Sequence, residues 1–251
     1  MNLPIITAFL DQYLRIREIA DWPGAMNGLQ LENGGTVTKI GAAVDSTLPV
    51  IEEAISENVD LLLVHHGLFW SGAKPITRAN YRKLKLALDH NVAVYSAHLP
   101  LDLHPECGNN AVLARELGFG DKTEPFFFEK GQLIGLRIGT KISRVELLAR
   151  LKSLLGSTPH MAPGGPEIVH EIGIVTGGAG AEIARAAAEG IDTFITGEGP
   201  HWSHGAAEEL GVNLVYGGHY ATETFGVKAL ASRIYEEFSI PWTFIDHPTG
   251  L

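Results

Sequence analysis

An internal repeat is the feature of this 251-residue sequence that most restricts its fold. The segment KIGAAVDSTLPVIEEAISENVDLLLVHHGLFW (39–70) aligns with EIGIVTGGAGAEIARAAAEGIDTFITGEGPHW (171–202) at a constant offset of 132 positions. Further along, VYSAHLPLD (94–102) aligns with VYGGHYATE (215–223) at an offset of 121 positions. Two matches in the same order favour a duplicated structural unit over the general likeness of all βαβ units.

Each copy alternates short apolar stretches with helical patterns, which is typical of parallel βαβ units. In the first copy the predicted strands are 39–45, 61–64 and 92–97, and the predicted helices are 48–59 and 78–90. The sequence therefore predicts an α/β protein with two similar α/β lobes that arose by duplication.

We place the predicted lobes at 1–125 and 126–251, with an approximate boundary, and expect the C-terminal helix to pack on the first lobe. A net charge of −10 argues against a nucleic-acid-binding protein. The N-terminal residues form an amphipathic helical pattern rather than a signal peptide, and no apolar run reaches membrane-spanning length. The one cysteine, Cys107, excludes an intrachain disulfide and suits a reducing cytoplasm.

Polar side chains stand where the repeated strands are predicted to end. Open α/β sheets usually bind ligands at the carboxyl ends of their strands. Because neighbouring strand residues point to opposite faces, two adjacent histidines converge only at a strand end, and we expect Gly67 to allow the turn there. The residues concerned are His65, His66, His98 and Asp102 in the first copy, and Glu198, His219 and Glu223 in the second.

The two H-x-x-x-D/E motifs predict different local structures. A helix that begins near Tyr220 would place His219 and Glu223 on one face, four residues apart. Pro100 predicts instead that Asp102 is contributed by a loop.

The residue types favour a metal centre. Three or four imidazoles and two carboxylates are enough for two ions that share a bridging carboxylate and keep positions for water. Nitrogen and oxygen donors without thiolate suit zinc, manganese, iron or nickel, and do not choose among them. A separate motif, GGAG (177–180), either cradles a phosphate or forms a tight turn, and it lacks the Walker lysine.

Structural interpretations compete with metal binding. Adjacent histidines after a strand can be hydrogen-bonded structural residues, and His219 with Glu223 can be a pair at a helix start. His98 is interpreted as a residue that supports a ligand rather than as a ligand. His201 and His204 have metal-like i, i+3 spacing, but we interpret them as a solvated loop pair.

At these motifs the sequence resembles the NIF-three-like dinuclear-metal proteins, often named GTP cyclohydrolase 1 type 2 homologues. The resemblance covers nearly the whole chain and implies two similar α/β lobes around a two-metal centre, assembled as a toroidal homohexamer of dimers. The matching stretches are WPGAMNGLQLENG (22–34), DLLLVHHGLFW (60–70), SAHLPLD (96–102), IDTFITGE (191–198) and GGHYATE (217–223).

The resemblance also implies a ligand set. In it His65 and Asp102 bind one divalent ion, His66 and His219 bind the other, and Glu223 bridges both. His98 and Glu198 lie in family motifs near the centre but outside these five ligands, and no role carries over to His201 or His204.

Two functions follow as hypotheses. The first is a metal-dependent hydrolase that acts on a small phosphorylated or nucleotide-like molecule, with two ions that activate water and polarise the scissile group. A GTP cyclohydrolase reaction is one version, although the sequence has no dedicated guanine-recognition motif. The second is a non-catalytic metal-binding scaffold or adaptor, whose ring-shaped oligomer presents surfaces to protein partners. The sequence does not name the substrate.

Overall fold

The structure is a computed structural model that describes residues 1–72 and 74–251, and the backbone alone of Asp121. Its strands form a five-stranded and a six-stranded sheet. The helices are α1 (Leu3–Tyr13), α2 (Leu48–Ser56), α3 (Arg78–Asp89), α4 (Leu99–Asp102), α5 (Asn109–Glu116), α6 (Arg144–Leu155), α7 (Ile183–Ala188), α8 (Trp202–Leu210) and α9 (His219–Phe238). The strands are β1 (Gly28–Leu31), β2 (Ile40–Asp45), β3 (Leu61–His66), β4 (Ala93–Ser96), β5 (Thr123–Glu129), β6 (Gln132–Ser143), β7 (His160–Pro163), β8 (Ile168–Ile174), β9 (Thr193–Thr196), β10 (Asn213–Tyr216) and β11 (Trp242–Phe244).

The chain divides into two compact units. Unit 1 comprises Met1–Cys107 and Gly226–His247, and unit 2 comprises Gly108–Phe225 and Pro248–Leu251. The boundary predicted near residue 125 lies within β5 of unit 2, and it stays a prediction. Among the described residues, no helix combines the length and the apolarity needed to cross a bilayer.

The sheet of unit 1 has the strand order β1-β4-β3-β2-β11. All neighbouring pairs are parallel except β1 with β4. Successive residues of β3 alternate between two apolar layers: Leu61 and Leu63 pack with α1 and α9, and Leu62 and Val64 pack with α2 and α3. A strand covered on both faces needs apolar side chains throughout, which explains the unbroken apolar run before the two histidines.

Unit 2 repeats this arrangement with strand order β5-β6-β8-β9-β10-β7. Its central strands β8, β9 and β10 are parallel, as β2, β3 and β4 are in unit 1. Ile40 pairs with Leu61 in the first sheet, and at the equivalent positions Ile172 pairs with Thr193 in the second. The predicted α/β fold with two similar lobes is confirmed.

Two local predictions were wrong. The segment 157–167 is dense in proline and glycine, a composition that predicts a loop, but it contains β7, which pairs antiparallel with β10 at the edge of the sheet. Pro163 is tolerated there because an edge strand has one side without ladder bonds. Pro100 does not prevent a helix either, because it lies in the first turn of α4, where its missing N–H would have no intrahelical partner.

Candidate metal centre

Three buried imidazoles meet in unit 1 at the ends of β3 and β4. The ring centroid of His65 lies 4.8 Å from that of His66 and 4.8 Å from that of His98. One possible ligand nitrogen from each ring lies within 4.8 Å of the others, so the three can hold a metal ion together. The predicted convergence of adjacent histidines is therefore observed, and His98 lies beside them.

The glycine after the two histidines leaves room for a neighbouring side chain. The chain turns directly after the histidines, as predicted: the backbone N–H of Trp70 donates to the carbonyl of Gly67 at 3.4 Å, and Gly67 does not adopt a positive φ. A Cβ at this position would overlap the side-chain amide of Gln30, whose Oε1 accepts a hydrogen bond from the backbone N–H of Leu68 at 2.6 Å. The segment that follows β3 is thus held against β1.

Each imidazole of this group is oriented through its Nδ1 atom. Carbonyl and carboxylate oxygens only accept hydrogen bonds, so Nδ1–H donates and Nε2 is left as the possible metal donor. A histidine that binds a metal usually has its other ring nitrogen held in this way. The Nδ1–oxygen distances are 3.0 Å from His65 to the carbonyl of Ala97, 2.9 Å from His66 to Asp45 and 2.8 Å from His98 to Asp21.

Asp21 is itself fixed by several donors. Its side chain is only 6% exposed, and its Oδ2 accepts hydrogen bonds from the backbone of Leu99 and from Asn27. Asn27 in turn accepts one from the backbone N–H of His98 at 2.7 Å. Burial raises the pKa of Asp21, but hydrogen bonds and the charge of His98 outweigh it and lower the pKa below its usual value. Asp21 therefore stays ionised and keeps its hold on the imidazole.

Asp102 and Trp70 complete the surroundings of the three imidazoles. Asp102 is the last residue of α4, and its Oδ2 lies 3.6 Å from Nε2 of His65, which places this predicted ligand beside the histidine. The ring of Trp70 packs on His98 at 4.4 Å and on His66 at 4.9 Å between centroids. The indole thus shields two of the imidazoles from solvent.

A second group of titratable residues lies in unit 2. His219 and Glu223 occupy the first turns of α9, with Nε2 and Oε2 3.2 Å apart, so the predicted helical pairing is confirmed. Nδ1 of His219 contacts Oε1 of Glu198 at 2.8 Å, and Glu223 is buried. Burial alone lowers the pKa of His219, but hydrogen bonds and charge from the two carboxylates raise it to about 9. Without a metal ion, His219 is therefore protonated at neutral pH.

The GGAG motif forms a tight turn against this second group. Gly177 has a φ of +73°, and a Cβ there would overlap the carboxylate of Glu223. Its N–H donates to Oγ1 of Thr222 at 3.2 Å, and its carbonyl accepts from the backbone N–H of Glu198 at 3.0 Å. Of the two interpretations of this motif, the tight turn describes it.

Four residues that surround the imidazoles were not predicted from the sequence. Asp21, Asn27 and Trp70 were given no role at the site. Asp45 carried a usable signal, because it ends β2 and pairs in register with His66 on the neighbouring strand. A carboxylate that ends one strand can be predicted as the hydrogen-bond partner of a histidine that ends the neighbouring strand.

The remaining histidine pair belongs to a helix rather than to a loop. His201 is the N-cap of α8 and His204 lies in its first turn. Because these two residues start a helix, the interpretation as a loop pair was wrong. Nδ1 of His204 contacts Nε2 of His160 at 3.1 Å.

The donor chemistry of both groups fits a transition-metal ion. The donors are imidazole nitrogens and carboxylate oxygens, which suit zinc, manganese, iron or nickel. Fold and site together define an α/β protein of two similar lobes that carries histidine–carboxylate groups at its strand ends.

Comparison with known proteins places the chain in a family. The profile of the Duf34/NIF3 (NGG1p interacting factor 3) family matches residues 1–249, and the protein belongs to this family. It is 40% identical over 248 residues to the GTP cyclohydrolase 1 type 2 homolog of Deinococcus radiodurans, covering 98% of this chain and 93% of that protein. The Escherichia coli protein of the same name is 37% identical over 243 residues, covering 95% of each. The crystal structure of TTHA1606 from Thermus thermophilus has a TM-score of 0.91 at 40% identity and covers 100% of both chains.

Proposed function

We propose that the protein binds two divalent metal ions per chain and uses them to hydrolyse a small phosphorylated or nucleotide-like substrate. The observation that carries the proposal is the anchoring of four imidazoles, each through Nδ1 to an oxygen acceptor. In the proposal Glu223 bridges both ions, as the resemblance to the family implies. The proposed ligands are His65, His66, Asp102, His219 and Glu223, with His98 as a further candidate and Glu198 in support.

The side chains divide the work by position. Asp45, Asp21 and Glu198 accept hydrogen bonds from Nδ1 of His66, His98 and His219, which leaves Nε2 of each ring as the atom that would bind an ion. At His219 the ion would replace the proton that Nε2 carries in the metal-free protein. Two divalent ions supply Lewis acidity and lower the pKa of bound water. Relatives named GTP cyclohydrolase 1 type 2 homolog make GTP one substrate to test.

Elemental analysis tests metal binding directly. We expect about two zinc, manganese, iron or nickel ions per chain, in the protein as purified or after reconstitution. A Glu223→Gln variant keeps the shape of the side chain and removes its charge, so it should lose metal while remaining folded. Trace metal in the reconstituted wild-type protein would contradict the proposal.

Hydrolysis is tested separately with the metal-loaded protein. GTP, other nucleotides and small phosphate esters are incubated with wild-type protein and with Glu223→Gln, and release of phosphate or of ring-opened product is measured. We expect activity only in the wild-type protein. A fully metal-loaded protein that acts on none of these compounds would favour the scaffold or adaptor function instead.

Assembly and location are part of the same proposal. We expect a homohexamer, on the resemblance to the family, and a reducing cytoplasmic environment, on the single cysteine, which is buried.

A further inference from the structure

A cavity of about 540 Å³ in unit 1 lies on the segment that follows the two strand-end histidines. The segment contributes Leu68 and Phe69 to the cavity wall, whereas the next residue, Trp70, packs on His66. The opposite wall comes from α3 and from β1. The apolar lining residues are Leu31, Leu48, Leu68, Phe69, Ile76, Ala79, Leu84 and Leu88.

Several apolar side chains of this wall face solvent. Ile76 is 62% exposed and Leu88 is 59% exposed. A volume of this size falls within the range of small-molecule sites, which is roughly 300–1,000 Å³. Covering these side chains with the apolar part of a ligand is favourable, because it removes apolar surface from water.

The charges of the cavity have one sign. Among its described lining residues, the only charged ones are Lys74 and Lys83, and no carboxylate accompanies them. This is unusual in a chain whose net charge is −10. Lys83 is half-buried, and burial together with the charge of Lys74 lowers the pKa of its amine. An anion placed here would offset the repulsion between the two amines.

Another lysine of α3, outside the cavity, has a carboxylate partner. Lys85 is exposed and forms an ion pair with Asp89 at 2.5 Å, four residues along the helix. It does not line the cavity. A lysine on the same helix is thus neutralised by a carboxylate, whereas the described residues that line the cavity include none for Lys74 and Lys83.

We propose that this cavity binds a small organic anion with an apolar body, such as an alkyl or aryl phosphate or carboxylate. The apolar body lies against the leucines and Phe69, and the anionic group contacts the amines of Lys74 and Lys83. Asn80, which also lines the cavity, supplies a neutral hydrogen-bonding group. The site is distinct from the metal-binding groups and does not depend on the function proposed above.

Calorimetric titration with hexyl phosphate, hexanoate and hexanol tests the proposal. We expect saturable binding of one or both anions to the wild-type protein, at least about tenfold weaker binding of hexanol, and weaker anion binding at high salt. The two anions distinguish a phosphate site from a carboxylate site. The titration is repeated after chelation of metal, where anion binding to the cavity should persist.

Matched variants identify the cavity as the binding site. Lys83→Met keeps the apolar stem and should weaken anion binding about tenfold or more, and Lys83→Arg should restore most of it. Lys85→Met removes a charge from the same helix and should leave binding unchanged. Thermal unfolding of each variant checks that it is folded.

Three results would overturn the proposal. These are equal affinities for hexanol and the anions, unchanged binding in the Lys83→Met variant, and no saturable binding by wild-type protein. If the wild-type protein shows no saturable binding, a smaller particle mass for Leu88→Lys than for wild type would assign the cavity to a contact between copies of the chain.

Discussion

At the scale of single residues, the hydrogen bond made by Nδ1 of each imidazole is expected to set how well Nε2 binds the proposed ion. His66, His98 and His219 all have Nδ1 within 2.8–2.9 Å of a carboxylate oxygen. The carboxylate fixes the tautomer and the ring orientation and makes Nε2 a better electron donor. The supporting carboxylates should therefore affect metal affinity without touching an ion themselves.

Replacing Asp21 by Asn tests this effect at one imidazole. The substitution keeps the size of the side chain but presents an amide group to His98, so the ring loses its charged acceptor. We expect metal affinity to fall about 10- to 100-fold, measured by competition with a chromogenic chelator.

The control for this variant is Asp60→Asn. Asp60 also accepts backbone hydrogen bonds in unit 1, from Thr38 and Lys39, but it contacts none of the three imidazoles. This variant should lose some stability and keep its metal affinity. Equal metal loss in both variants would show that Asp21 acts through general stability and not through His98.

His104 gives a pH-dependent prediction away from the metal site. Burial lowers its pKa, although the charge of Glu106 and a hydrogen bond with Tyr13 partly oppose this. Its Nδ1 accepts backbone N–H groups of Glu106 and Cys107, which protonation of that atom would prevent. The unfolded chain therefore binds this proton more readily than the folded protein. Stability from His104 is fully present above about pH 6.5 and is lost as the pH falls through that value towards the lower folded pKa.

A His104→Asn variant measures this contribution. The fall in melting temperature between about pH 7.5 and pH 5.5 should be smaller in the variant than in the wild-type protein, because the variant has no group here to protonate. His170→Gln, which changes an exposed histidine, should keep the wild-type fall. An unchanged pH dependence in His104→Asn would contradict the assignment.

At the scale of elements, α6 shows how a local signal specifies a helix. Ser143 is its N-cap and accepts the backbone N–H of Glu146 at 3.1 Å, and Gly156 ends it with a φ of +72°. Replacing Ser143 by Ala should lower the free energy of unfolding by about 1 kcal/mol, measured by denaturant unfolding. Thr47→Ala is the matched comparison, because the structure gives Thr47 no side-chain cap bond to α2, and it should cost less.

Elements with such local signals were predictable, and elements defined by distant partners were not. The bounds of α6 and the buried run of β3 follow from caps and apolar patterning in the sequence alone. The strand β7 exists because it pairs with β10, some fifty residues away, and its proline-rich sequence does not indicate this. The site divides in the same way. The histidines and carboxylates of the short motifs could be proposed from their neighbours in the sequence, whereas Asp21 and His98 form a hydrogen bond although they lie 77 positions apart.

At the scale of the whole molecule, the negative net charge of each chain opposes assembly into an oligomer. Each chain carries a net charge of −10, so copies of it repel one another at low ionic strength. The Debye length is about 30 Å at 0.01 M salt and about 8 Å at 0.15 M, so salt weakens this repulsion over the distances between neighbouring chains. A homohexamer of such chains should therefore form more completely as salt is raised, provided that its contacts are mainly apolar.

Light scattering at micromolar concentration tests the assembly. We expect a particle mass about six times the chain mass of 27.0 kDa at about 0.15 M salt, and a smaller average mass at about 0.01 M. Repeating the measurement after chelation separates assembly from metal binding, since apolar contacts between copies should survive the loss of the ions. A mass near 27 kDa at every salt concentration would exclude the hexamer. A mass that falls as salt rises would show instead that ion pairs hold the copies together, because screening weakens attraction between opposite charges as well as repulsion between like ones.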